Sequence, residues 1–236
     1  DLRHRQGCRF MSGLLWSHAP LNTRKARLVN EERANQITHA FATALSITGS
    51  AFLIREAVEL GNSVVTASCI VYAITLTLVY LTSTLSHSFL SGKWKHSFRT
   101  LDQVSIFLLI SGAFTPVGLT VCNTGYWFLI PITMWVLSLI GVFLKLFMTG
   151  VQMVPVWFYV LIGCMPMLAV PVMMAWFPPA GIVWIVAGAA CLLVGTVFLC
   201  NDTKVPYFHC VWHLLVTAGC ACHFVVNYHY LLPNLQ

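Results

Sequence analysis

Seven long apolar runs dominate the chain, separated by short polar stretches. A helix of about 20 mostly apolar residues crosses the roughly 30 Å hydrocarbon core of a bilayer, and every run reaches that length. The pattern predicts spans at about 36–58, 64–90, 101–122, 126–147, 153–175, 180–200 and 209–232. No repeat and no soluble insertion interrupts them. The division that follows is a basic N-terminal segment, residues 1–35, and a seven-span membrane domain, residues 36–236. Within the first piece, Leu28–Arg33 reads as a helical turn at the membrane surface, with Asn30 as its N-cap. The fifth run carries Pro155, Pro166 and Pro171, so a kinked helix is expected there. Small residues in the sixth run (Ala187, Gly188, Ala189, Ala190, Gly195) point to close helix packing.

Composition removes the soluble alternative. Hydrophobic residues make up 58% of the chain and charged residues only 8%, too few to cover a water-exposed surface. The formal charge of +6 forms no folded basic face, so nucleic acid is not an expected partner. It is instead an orientation signal. Arg3, Arg5, Arg9, Arg24, Lys25, Arg27 and Arg33 precede the first span, and Lys93, Lys95, Arg99, Lys145 and Lys204 fall in loops on the same side. Only Arg55 lies opposite. Cytoplasmic loops carry this excess, which predicts an all-α seven-transmembrane bundle with its N-terminus cytoplasmic and its C-terminus outside. The expected location is a plasma or bacterial inner membrane, with the basic face against anionic lipid headgroups. The nine cysteines fall mostly inside apolar runs without a C-x-x-C pair, so no disulfide framework is expected. Residues 1–20 lack the pattern of a signal peptide, and Met11 can open a frame. Residues 1–10 are therefore expected to be a tag, an over-extended gene model or a processed end.

The candidate chemistry begins at Phe208-His209-Cys210-Val211-Trp212-His213. Two histidines four apart on a helix stack on one face, which is half of a metal site. By the topology above, the cytoplasmic end of the bundle also receives His87 and Ser83 from the second span and Asp102 from the start of the third. Three neutral imidazoles leave the fourth tetrahedral position of Zn²⁺ open, and the ion lowers the pKa of water there toward about 7. An Asp beside it can act as general base or orient a histidine. A Ser one turn away can donate to a developing oxyanion or position the water. Taken singly, Asp102 would read as a helix cap paired with Lys93, Lys95 or Arg99, and Ser83 as bonding its own helix backbone. The shared depth of three separated pieces favours zinc, with His87, His209 and His213 as ligands. His223 lies roughly 15 Å further along its helix and is expected to stay apart. Asn35, Thr38 and His39 open the first span on the same side and read as outer packing around the site.

Several short pieces together resemble the hemolysin III group of the progestin and adipoQ receptor family, within the ceramidase-like superfamily of seven-span proteins. They are Glu31–His39, Ser83-Thr84-Leu85-Ser86-His87-Ser88, Leu101–Ile106, Gly112-Ala113-Phe114-Thr115-Pro116 and His209–His213, in family order from about residue 30 onward. The resemblance implies a cytoplasmic-side zinc held by His87, His209 and His213, with Asp102 and Ser83 around its water. The chain departs from the family pattern at Ser86, often aromatic, at Gln103, often His, and at Ala113-Phe114, often Thr-Tyr. Two functions fit these residues. The first is a zinc-dependent hydrolase of an amide or ester bond in a membrane lipid. The second is a non-catalytic sensor or regulator of membrane lipid homeostasis, in which the zinc is structural. A pore or transporter is disfavoured, because the spans carry no charged stripe and no visible inverted repeat.

Overall fold

A computed structural model describes residues 21–148 and 155–236, with side chains from Ala26 onward. The expectations for residues 1–20, for the side chains of Arg24 and Lys25, and for the start of the fifth span at 153 lie outside these residues. The described residues are helical, joined by short turns, with no strand among them. In order, the helices are α1 (Leu21–Glu59), α2 (Ser63–Ser88), α3 (Lys93–Thr120), α4 (Leu129–Phe147), α5 (Val156–Cys164), α6 (Val170–Trp176), α7 (Pro179–Cys200) and α8 (Phe208–Val225). The described residues form seven helical segments long and apolar enough to cross a membrane, with α5 and α6 together making the fifth. It is a multi-pass membrane protein.

The helix ends differ from the hydropathy pattern in an instructive way. α1 runs without a break through Leu28–Arg33, so Asn30 is an interior helical residue rather than an N-cap. The division expected near residue 35 falls inside this one helix. At 39 residues α1 is about 58 Å long, well beyond one bilayer core. Hydropathy marks where lipid begins; it does not mark where hydrogen bonding of the backbone ends. The polar first turns are held by local pairs such as Arg27 Nε to Glu31 Oε1 at 3.0 Å. α3 likewise begins at Lys93, which places Asp102 more than two turns inside the helix instead of at its start.

In the fifth span, Pro166 and Pro171 remove backbone donors. The helix tightens there into a 3₁₀ turn, Met165–Ala169, between α5 and α6. α8 ends differently, widening into a π-helical turn at Val226–Leu231. The α2 N-terminus is capped by Asn62, whose Oδ1 accepts from Val64 N at 3.0 Å and Val65 N at 3.3 Å.

Two packed clusters fill the bundle. One joins α1, α2, α3 and α8 through Ala42, Leu53, Tyr72, Tyr80, Leu109 and Cys220. The other joins α3 to α4–α7 through Phe107, Phe114, Met134, Ile162, Met173 and Phe177. Small residues set the closest approaches. A Cβ on Gly112 would lie 2.2 Å from Thr75 Oγ1, so α3 can lie against α2 only as glycine. Gly195 of α7 likewise receives the Trp212 ring, where a Cβ would lie 2.7 Å from it. This is the packing that the small residues of the sixth run predict.

Candidate metal centre

α2 ends at Ser88, so His87 occupies its last turn, and α8 begins at Phe208, so His209 and His213 occupy its first two turns. The chain enters α8 through Tyr207, whose φ of 61° is the one left-handed non-glycine backbone among the described residues. His87, His209 and His213 come together: each offers a ring nitrogen, and the three nitrogens lie within 4.8 Å of one another. The ring centroids are 5.2 Å apart for His87 and His209, 5.0 Å for His87 and His213, and 4.5 Å for His209 and His213. His213 is deeply buried; His87 and His209 are half-buried.

In each ring one nitrogen is already engaged. His87 Nδ1 lies 2.8 Å from Glu32 Oε2, and Lys95 Nζ donates to the same oxygen at 2.6 Å. His209 Nδ1 lies 2.9 Å from Asp202 Oδ2. His213 Nδ1 lies 3.5 Å from Thr38 Oγ1, at the outer limit of a hydrogen bond. Thr38 itself donates to the Asn35 carbonyl at 2.9 Å, which leaves its oxygen free to accept. The Nε2 atoms remain. That of His87 is buried with no hydrogen-bond partner, a costly state for a polar atom unless something binds it. Three imidazoles with a carboxylate beside them suit a divalent transition metal, and the residues present fit such an ion.

The Asp102 carboxyl completes the wall. Ser86 Oγ donates to its Oδ2 at 3.3 Å, and Ser83, His209 and Lys95 are among its polar and charged neighbours. Ser83 is buried and sits against Asp102 rather than bonding back into its own helix; Ser86 does that, donating to the Ser83 carbonyl at 2.9 Å. Lys95, one of the three cations that a capping Asp102 could have paired with, is hydrogen-bonded to Glu32. His39 stacks face to face on His213, with ring centroids 3.7 Å apart, and turns its edge to Tyr80 at 5.3 Å. It is outside the group of three. Asn35 and His39 are both buried, and Asn35 Oδ1 and both His39 ring nitrogens have no partner among the described residues. His223 packs against α7 at Gly188, apart from the cluster.

Sequence reasoning missed Glu32, Asp202 and Ser86 as parts of the site. A signal for the first two exists. The chain has only seven acidic residues, and three of them, Glu32, Asp102 and Asp202, surround the histidines.

Comparison with known proteins gives the family. Residues 28–224 match the family model described as Haemolysin-III related. The chain is 33% identical to "Hemolysin-3" of Bacillus cereus, over 90% of this chain and 97% of that protein. It is 32% identical to "Hemolysin-3 homolog" of Bacillus subtilis (strain 168), over 83% and 92%. It is 27% identical to the human "Monocyte to macrophage differentiation factor", over 90% of each chain. No solved structure matches it.

Proposed function

The chain belongs to the haemolysin-III-related family, and from that premise we propose that it is a zinc-dependent hydrolase cleaving an amide or ester bond of a membrane lipid. The observation that carries this reading is the meeting of three histidines, one with a buried and unpartnered Nε2, beside the half-buried carboxylate of Asp102. A purely structural metal needs no unliganded carboxylate at its side. His87, His209 and His213 would hold the ion, His87 and His209 having Nδ1 already engaged by carboxylates. When bound, Zn²⁺ supplies Lewis acidity, polarising a carbonyl and acidifying water at neutral pH. Asp102 takes the proton from the attacking water, its carboxyl held by Ser86 at Oδ2 and by the neighbouring Ser83. Ser83 donates to the oxyanion that develops on the scissile carbonyl. The acyl chain enters from lipid between the helices, which keeps bulk water from the reacting bond.

On this reading the site lies at the cytoplasmic end, with Lys93, Arg99 and Lys204 on the same side of the bundle to receive anionic headgroups, while Lys95 is taken up by Glu32. The test is purified protein in detergent with labelled ceramide, other N-acyl lipids and phospholipids. Zinc-dependent turnover that disappears in Asp102→Asn supports hydrolysis. No turnover on any lipid, together with an Asp102→Ala copy that fully restores the lipid composition of a deletion strain, replaces it with the sensor reading.

A further inference from the structure

Two carboxylates outside the proposed ligand and catalytic set reach the histidines from opposite directions. Glu32 comes from α1, 55 residues before His87, and is gripped in turn by Lys95 of α3. Asp202 comes from the turn between α7 and α8, seven residues before His209. Both bind Nδ1, at 2.8 and 2.9 Å. A deprotonated carboxylate can only accept, so each fixes the hydrogen on Nδ1 and leaves the Nε2 lone pair free. Each also stops its ring from turning about the side-chain bond. We propose that Glu32 and Asp202 are positioning residues that hold His87 and His209 in the metal-binding tautomer and orientation, with Lys95 holding Glu32.

The backbone around Asp202 fits this role. Between Asp202 and His209 the chain reverses through Tyr207, a tyrosine in the left-handed region where a side chain is strained. The turn brings the carboxylate onto the ring of the next helix. Lys204, in the same turn, is directed elsewhere: its Nζ donates to Asn201 Oδ1 at 3.0 Å and leaves Asp202 to the histidine. At the other carboxylate, Lys95 and His87 share the one oxygen, Oε2. Glu32 therefore ties α1, α2 and α3 together at the point where the ion would bind. The third histidine has only the neutral Thr38 hydroxyl at Nδ1 and the His39 ring against its face. Loss of a carboxylate should therefore be felt at His87 and His209 and much less at His213.

This inference rests on the metal reading but not on lipid hydrolysis. Its test uses the full-length chain in detergent, stripped of metal and titrated with zinc against a chelator of known affinity. Glu32→Gln and Asp202→Asn keep size and remove the obligate acceptor. Each is expected to weaken zinc binding by about 10- to 100-fold while still reaching the native stoichiometry at saturation. Glu32→Asp and Asp202→Glu, which retain the acceptor, should recover part of the loss. With Co²⁺ in place of zinc, the visible ligand-field bands should shift in the Gln and Asn variants. Glu31→Gln, on a carboxylate that pairs with Arg27 instead, should match the native chain in every readout. Melting of the metal-free forms separates the alternatives, because a residue that only braces the helices lowers their stability with metal absent. Zinc affinity within twofold of native in both variants, beside its loss in His87→Ala, overturns the inference. A native chain that takes up no zinc overturns the metal reading as well. Absence of lipid turnover leaves this result standing.

Discussion

The two halves of this bundle are packed from different materials. The half built on α3–α7 is filled by large apolar side chains: Phe107, Phe114, Met134, Ile162, Met173 and Phe177. Its buried polar groups are small and paired locally, as Ser111 with Ser138 at 2.8 Å and Trp135 Nε1 with Thr115 Oγ1 at 3.0 Å. The half built on α1, α2, α3 and α8 buries Asn35, His39, Ser83, Ser86 and His213, and its apolar core is interrupted by tyrosines and cysteines. The unpartnered polar atoms on Asn35, His39 and His87 all belong to this half, at the end where the helices converge on the histidines. Packing accounts for most of the first half; the exception among the described residues is Asn227, whose Oδ1 is buried without a partner at the π-helical turn that adds Val226 and Leu231 to that core. Packing does not account for the second, because buried imidazoles with open nitrogens cost stability unless a ligand takes them. The difference singles out the candidate metal centre.

The strongest way to break that comparison is to remove the ligands. His87→Ala, His209→Ala and His213→Ala should each lose most of the bound zinc, since two imidazoles hold it weakly. Each should also melt earlier, because the ion ties α8 to α2 and its binding energy is folding energy. With free metal at 100 times Kd, that contribution is about 2.7 kcal/mol, readable as a zinc-dependent shift in Tm that the variants lack. Acid should do the same to the native chain. An imidazole ligates only when neutral, so protonation competes with the metal, and zinc content should be full above neutrality and fall as the medium is acidified. Dialysis across pH with metal analysis reads the curve.

The apolar half should respond in the opposite manner. Met134→Ala opens a cavity in the α3–α7 core and should cost about 2 kcal/mol in a detergent unfolding titration. The low end is expected because the unfolded helix keeps its side chain in an apolar medium, so the transfer part of the loss is small. Zinc content should not change. His223→Ala gives the smallest effect of all on the metal: none, although it removes a half-buried histidine from the same helix that carries His209 and His213.

Much of this division is legible in the sequence, and the reasons are physical. Seven spans follow from hydropathy alone, because a bilayer imposes one length on every crossing. The three histidines and Asp102 follow from topology, which assigns alternate helix ends to one side. The true starts of α1 and α3 do not, since a helix continues through polar residues such as Glu31 and Lys95 without leaving a hydropathy signal. Nor does the π-helical turn after Val225, which the apolar pattern of α8 does not distinguish. Glu32 and Asp202 were hidden for another reason. A carboxylate in a polar segment looks like any solvated charge until the fold shows its partner, and for Glu32 that partner is 55 residues away.

The central claim is that these three histidines form one metal centre, and X-ray absorption at the zinc edge of the loaded, full-length chain tests it most directly. The account predicts about three imidazole nitrogens at roughly 2.0–2.1 Å, with the outer-shell scattering of the rings and a light atom completing the shell. A sulfur shell near 2.3 Å, as ligation by Cys210 would give, or a shell of oxygens without imidazole scattering, would contradict it.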